Sequence, residues 1–200
     1  MQNKPIIAAF DFDGTLTYRD SLLPFLFFTH KYFGTLQKLF LLLPKFLGFV
    51  LGFVTRQAIK EAIVSKFFKG YSIERLTEWG EAFATQILDS KIRPGAFKKI
   101  RWHLDQGHRC ILVSANLEIY LRPWAYAHGF SDILASGFEL SKEGQITGKL
   151  KGKNCWGPEK TQRLEQLLGL KESYVLYAYG DSRGDQELLE LADYPFYRAL

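Results

Sequence analysis

Six side chains in this chain have types and spacings that could do chemistry. Asp11 and Asp13 stand one residue apart in "FDFDGT", at the end of an apolar run. Ser114 closes a second apolar run, "CILVS". Lys160 lies in "GPEK", and Asp181 and Asp185 are four apart in "GDSRGD", directly after "YVLYAY". Crowded carboxylates raise one another's pKa and take up protons, because like charges disfavour the ionised form. A divalent cation removes that difficulty. Magnesium favours hard oxygen ligands, keeps several waters and bridges to phosphate, so it is the expected cofactor. Asp11, Asp13, Asp181 and Asp185 are the expected ligands, Asp13 by way of its main-chain carbonyl and Asp185 directly or through water. No His or Cys falls in these segments, so zinc fits less well.

Taken singly, each residue has a plainer reading. The "DFDGT" stretch could be a turn with an Asx cap. Ser114 could cap a helix. Lys160 could be a solvated helix residue, with Lys153 as a rival for any role near anions. Asp181 and Asp185 could simply open a helix, where acids are favoured.

The elements that must position these residues alternate at both ends of the chain. "PIIAAFDF", "CILVS", "DILASGFEL" and "YVLYAYG" read as buried strands. "RPGAFKKIRWHLDQGH" reads as a helix with Pro94 in its first turn, Gly107 behind it, and Phe97, Ile100 and Leu104 as its buried stripe. "NLEIYLRPWAYAHG", "GPEKTQRLEQLLGL" and "DQELLELA" read as further helices, and "SKEGQITGKLKGK" as a hairpin turning at Glu143-Gly144. Residues 21–90 read as all helix; in "SIERLTEWGEAFATQIL", Ile73, Leu76, Trp79 and Phe83 share one face behind Ser72 as N-cap. This predicts an α/β fold: a Rossmann-like parallel sheet flanked by helices, with an α-helical cap inserted after the first strand. In such sheets ligands bind beyond the carboxyl ends of the strands, where the polar residues above fall.

Composition narrows the class. Apolar residues make up 47% and charged residues 24% of the 200, as in a soluble globular protein. The two cysteines, Cys110 and Cys155, form no CxxC and suit a reducing compartment. "MQNKP" lacks a basic stretch and an apolar stretch of the secretory kind, so a cytoplasmic location is expected. The net charge of +5 is concentrated: residues 21–70 carry +6 and ten of the 17 phenylalanines. A local excess of this kind does not suit nucleic acid, and none is expected as a partner. Trp102, Trp124 and Trp156 read as packing residues, and His103 and His108 as surface groups at a helix end.

The order D-x-D-G-T, strand-end Ser, Lys, G-D-x-x-x-D resembles the haloacid dehalogenase-like hydrolases over nearly the whole chain. "GHRCILVSANLEIYL" and "GQITGKLKGKNCWGPEK" resemble subfamily IB, which includes phosphoserine phosphatases and carries a helical cap behind the first motif. The resemblance implies a core of residues 1–16 and 91–200 and a cap of residues 17–90. It implies that Asp11 is a nucleophile forming an aspartyl-phosphate, and that Asp13 protonates the leaving alcohol and later deprotonates water. It implies that Ser114, with Ala115 and Asn116 beside it, holds a phosphoryl oxygen, and that Lys160 offsets charge. Gly14 and Thr15 would adjoin the substrate, Gly14 allowing the turn that folds Asp13 back over Asp11. In the cap, Asp20 matches an acid that phosphoserine phosphatases use on substrate. Arg56 lies several residues out of register with their carboxylate-binding arginine.

The cap is also greasy and basic. "LFLLLPKFLGFVLGFV" (39–54) is interrupted by Lys45 and short of the ~20 residues of a membrane span. It fits a segment lying on or dipping into an anionic membrane, against the alternatives of a cap core or a dimer interface. The layout is similar to that of the phosphatidylglycerophosphatase C group, which points to a lipid phosphomonoester at the inner face of the membrane. Phosphoserine or another small metabolite is the alternative substrate; a phosphotransferase or a non-catalytic membrane-binding module is the alternative of another class.

Overall fold

The computed structural model describes residues 4–200; the first three residues of the stretch read for a leader lie outside them. Five strands form one parallel sheet in the order β3-β2-β1-β6-β7: β1 (Ile6–Phe10), β2 (Arg109–Leu117), β3 (Asp132–Ser136), β6 (Val175–Gly180) and β7 (Tyr194–Tyr197). Side chains alternate across β1. Ala8 and Phe10 join an apolar layer with α4 (Pro94–Asp105) and α5 (Glu118–Ala127), while Ile7 and Ala9 join the opposite layer with α6 (Pro158–Leu168) and α7 (Gln186–Leu191). With helices on both faces, β1 is a continuous apolar run, as parallel central strands require.

Between β1 and α4 stand three α-helices, α1 (Leu22–Val50), α2 (Arg56–Phe68) and α3 (Ile73–Gln86), and a short 3-10 turn at Leu88–Lys91. Thr55 and Ser72 cap α2 and α3 by accepting from the N–H of Ala58 and Arg75. The chain leaves the sheet domain and returns to it side by side, with Thr17 and Ile92 forming a β-bridge. Arg93 clasps this crossing, donating to the carbonyls of Gly14, Thr17 and Leu200 at 2.9, 3.0 and 2.6 Å.

Four details differ from the sequence reading. The run "DILASGFEL" splits at Gly137. Its second half is β4 (Phe138–Leu140), which pairs antiparallel with β5 (Ile146–Leu150) in a hairpin that packs on α2 instead of extending the sheet. β2 continues past Ser114 to Leu117 through an irregularity in its pairing with β3. β7 is an additional edge strand, short and containing Pro195, a residue tolerated only at edges. His103 is buried, not a surface group. The inner stripe of α4 runs through Ala96, Ile100 and His103, a slight rotation from the 97/100/104 face.

His103 Nε2 lies 2.9 Å from the Tyr179 hydroxyl, and its Nδ1 lies 2.8 Å from His108 Nδ1. Burial, with His108 and Lys99 nearby, lowers the His103 pKa to about 4. A folded value below the unfolded one means that the unfolded chain binds more protons between these pH values. The stability His103 contributes is therefore present above about pH 6.5 and is lost as pH falls toward 4. His103→Gln is expected to lower the melting temperature at pH 7 and to flatten its fall between pH 7 and 5. An acid limb as steep as the wild type's would show that His103 does not control it.

Candidate active site

The ends of β1, β2 and β6 converge. Asp11 extends β1, its N–H bonded to the Tyr179 carbonyl of β6 at 2.9 Å. Lys160, in the first turn of α6 and 1% exposed, donates 2.6 Å bonds to Asp11 Oδ1 and Asp185 Oδ1. Asp185 is held by the turn it closes. Its Oδ2 accepts from the N–H groups of Asp181 and Ser182 and from the Ser182 hydroxyl, which itself accepts from Gly184 N–H. The Thr15 hydroxyl lies 3.0 Å from Asp11 Oδ2 and 3.3 Å from Asp181 Oδ1, tying the two carboxylates together.

Two glycines make the crowding possible. Gly14 has φ +85°, and a Cβ there would fall 2.3 Å from Asp181 Oδ2. A Cβ on Gly180 would fall 2.5 Å from that of Asp185.

Asp11, Asp181 and Asp185 each present a carboxylate oxygen within 4.8 Å of the others. Burial pushes Asp11 up to about 6, with Asp185 adding to it and Lys160 and Thr15 opposing. Burial and then Asp185 also raise Asp181. One ammonium does not balance three carboxylates, and the donors are all hard oxygens. That set fits a magnesium ion, held by Asp11 and Asp181 with Asp185 beside them.

Asp13 is placed differently: its carboxylate lies outside that cluster, which leaves only its main-chain carbonyl for a metal. Its side chain turns toward α1, accepting from Ser21 N–H at 2.9 Å and from the Asn116 amide. Burial, then Asp20, raise its pKa to about 7. Lys160 thus serves Asp11, while Asp13 faces neutral donors and a like charge.

The irregular end of β2 supplies Ser114, Ala115 and Asn116. Ser114 is buried, and its hydroxyl accepts from Asn116 N–H at 3.1 Å. Asn116 also donates to the Ser21 hydroxyl and accepts from Leu117 N–H, so its side chain positions Asp13. Asp20 Oδ1 caps the start of α1 at Leu22 and Leu23.

Two sequence expectations are not gathered here. Arg56 stacks on Trp156 at 4.6 Å and faces Phe49 at 5.4 Å, and it makes no hydrogen bond or ion pair with the site carboxylates among the described residues. Lys153 is exposed, which leaves Lys160 as the cation on Asp11. The cation of the helical insert that reaches the end of β2 is Lys60, whose ammonium donates to the Ala115 carbonyl. Burial lowers its pKa to about 8, against the pull of Asp20 and Asp13. The legible signal was a polar row, Gln57, Lys60 and Glu61, at helical spacing on a helix whose other inward positions are apolar.

Gly14→Ala would force a left-handed backbone on alanine and drive a methyl into Asp181. The expected outcome is at least tenfold weaker magnesium binding by calorimetry, with a lowered melting temperature. Unchanged magnesium affinity would remove Asp181 from the metal set.

Comparison with known proteins agrees with this geometry. The family model for haloacid dehalogenase-like hydrolases matches residues 8–190. Protein CicA of Caulobacter vibrioides is 33% identical over 201 residues, covering 99% of this chain and 88% of CicA. A solved structure of a protein of unknown function from Bordetella pertussis superposes with a TM-score of 0.81 at 26% identity, covering 94% of this chain and 87% of that one. Substrate-bound phosphoserine phosphatase superposes with a TM-score of 0.61 at 18% identity, over 96% and 84% of the two chains, a likeness of fold. With nearly the whole chain matched, this protein belongs to the haloacid dehalogenase-like hydrolase family.

Proposed function

We propose that the chain is a magnesium-dependent phosphatase that hydrolyses a phosphomonoester through an aspartyl-phosphate on Asp11. The observation that carries this is the unequal treatment of two aspartates one residue apart. Asp11 is paired with a buried ammonium, which opposes the burial that raises its pKa to about 6 and leaves it an anion able to attack at neutral pH. Asp13 lacks a bonded cation and holds a proton up to about pH 7, so it can give one up and take it back.

In the first step an Asp11 carboxylate oxygen bonds to phosphorus, the bond to the alcohol oxygen breaks, and the Asp13 proton passes to that oxygen. In the second, Asp13 takes a proton from water as the water oxygen bonds to phosphorus. Inorganic phosphate leaves and the Asp11 carboxylate returns. Lys160 keeps Asp11 oriented in both steps, and Ser114 is within the loop that would hold a phosphoryl oxygen. Bound magnesium would neutralise charge on the phosphoryl oxygens.

The preferred substrate is a lipid phosphomonoester met at the inner face of an anionic membrane. The support is α1. It is 29 residues long, bends at Lys31, and leaves Phe33, Phe40, Leu47, Val50 and, just beyond its end, Phe53 at least 60% exposed. Only 11% of its most apolar 18-residue window is buried, too little for the helix to be mainly cap core. No acid occurs between Asp20 and Glu61, while Lys31, Lys38 and Lys45 lie on the helix. Apolar insertion and basic attraction to lipid headgroups would act together. Phosphoserine and other small metabolites are the alternative substrates.

Phosphate release should be measured with magnesium on phosphatidylglycerophosphate and on phosphoserine. Asp11→Asn is expected to abolish release, and Asp13→Asn to reduce it at least 10²-fold. Turnover retained by Asp11→Asn would overturn the mechanism. In co-sedimentation, the protein is expected to pellet with anionic vesicles and to stay in solution with zwitterionic ones. Absence from anionic vesicles would remove the membrane reading and favour a soluble metabolite.

A further inference from the structure

Lys60 belongs to the helical cap, yet its ammonium ends on a core loop. Its hydrogen-bond partner is the Ala115 carbonyl, between Ser114 and Asn116, the residue that holds Asp13. The same charge lies within electrostatic reach of Asp20 and Asp13. Neither acid is its partner: the Asp13 oxygens take Ser21 and Asn116, and Asp20 Oδ1 takes the first amides of α1. Lys60 is half-buried on the row of α2 that carries the buried Ile63 and Val64. Gln57 and Glu61 on the same row already join cap to core, through Gly152, Asn154 and Leu150. Lys60 is thus not needed as a strut. An ammonium carries three N–H donors, and among the described residues one acceptor is found. A partly buried cation with open donors is a place for an anion.

Its position says which part of a substrate it meets. Asp13 moves the proton on the leaving oxygen, so a group beside Asp13 on the cap side faces the departing alcohol. We propose that Lys60 selects the substrate by donating to an anionic oxygen carried on the leaving alcohol, a carboxylate or phosphodiester a few bonds from the scissile ester. The assignment rests on the phosphatase reading above and sharpens it. Alcohols with such an oxygen are favoured, uncharged alcohols are not, and cationic ones are repelled. The phosphodiester of a lipid phosphomonoester and the carboxylate of a soluble metabolite share this chemistry.

The test compares three probes with magnesium present. They are phenyl phosphate, whose leaving group has no such oxygen, 3-phosphoglycerate, which carries a carboxylate, and phosphatidylglycerophosphate in mixed micelles, which carries a phosphodiester. The readout is the ratio of kcat/KM for each anionic probe to that for phenyl phosphate. Lys60→Met is expected to lower that ratio at least tenfold for whichever anionic probe the wild type prefers, mainly through KM, and Lys60→Arg to restore most of it. The preferred probe identifies the source of the anion. A ratio within threefold of wild type, or an equal loss on all probes, would overturn the assignment and make Lys60 a closure contact. The same ratio is read as binding affinities by calorimetry with Asp11→Asn and with Asp11→Asn/Lys60→Met. A failure of turnover would sink the phosphatase reading but leave this comparison standing.

Discussion

The structure depends on one buried ammonium. Lys160 is enclosed between Asp11 and Asp185 at 2.6 Å from each, and all three are almost without solvent contact. A charge so placed is tolerable only because its partners are close and the remaining lone pairs are filled. Burial works against the Lys160 charge, but the two aspartates more than offset it and hold its pKa above the ordinary lysine range. Removing one partner of such a group costs ~3–5 kcal/mol, because the other charges stay buried. The triad therefore joins the end of β1, the start of α6 and the turn after β6, and any loop change that moves one member is penalised through the others.

That constraint explains the local chemistry around it. Asp185 spends Oδ1 on Lys160 and Oδ2 on its own turn, so Thr15 and Gly14 set the place of the Asp181 carboxylate. Lys160 is committed to Asp11, so Asp13 must be kept by other means. Asn116 and Ser21 do this with neutral donors, one from the bulged end of β2 and one from the entry to the cap. Asp13 is therefore held from both sides of the junction between the sheet and the helical insert. Arg93 holds the same junction by three backbone carbonyls. The helical insert and the strand ends are in this sense built together: the segment that presents an apolar surface outward also places Asp20, Ser21 and Lys60 beside the loops at the strand ends.

Most of the sheet domain was legible because local patterns and tertiary role agree there. Continuous apolar runs are required of strands covered on both faces, and β1, the start of β2 and β6 read that way. Pro94 and Pro158 marked helix starts, and Ser72 a cap, through local hydrogen-bonding rules. Where neighbours decide, legibility failed. β7 is four residues with a proline, and its pairing depends on the free edge of β6. The 138–140 segment has strand chemistry but joins the hairpin that covers α2. His103 looked like a surface group because a polar residue at a helix end usually is, and the Tyr179 hydroxyl on one side and His108 on the other make its burial tolerable.

The sequence by itself determined the kind of chemistry. Aspartates two and four positions apart, after strands, with a lysine and a serine between them, point to a shared cation, and their order carries the family resemblance that implies a phosphoryl group. It also determined that a greasy, basic helical insert follows the first strand. The tertiary structure decided the different surroundings of the two carboxylates, because Asp11 and Asp13 are chemically identical until Lys160 approaches one and not the other. It decided too that Lys60 meets the end of β2 while Arg56 stacks on Trp156. Spacing along α2 is the same for many rotations of that helix, and only its packing against the β4–β5 hairpin and the end of β2 selects the face that meets the site.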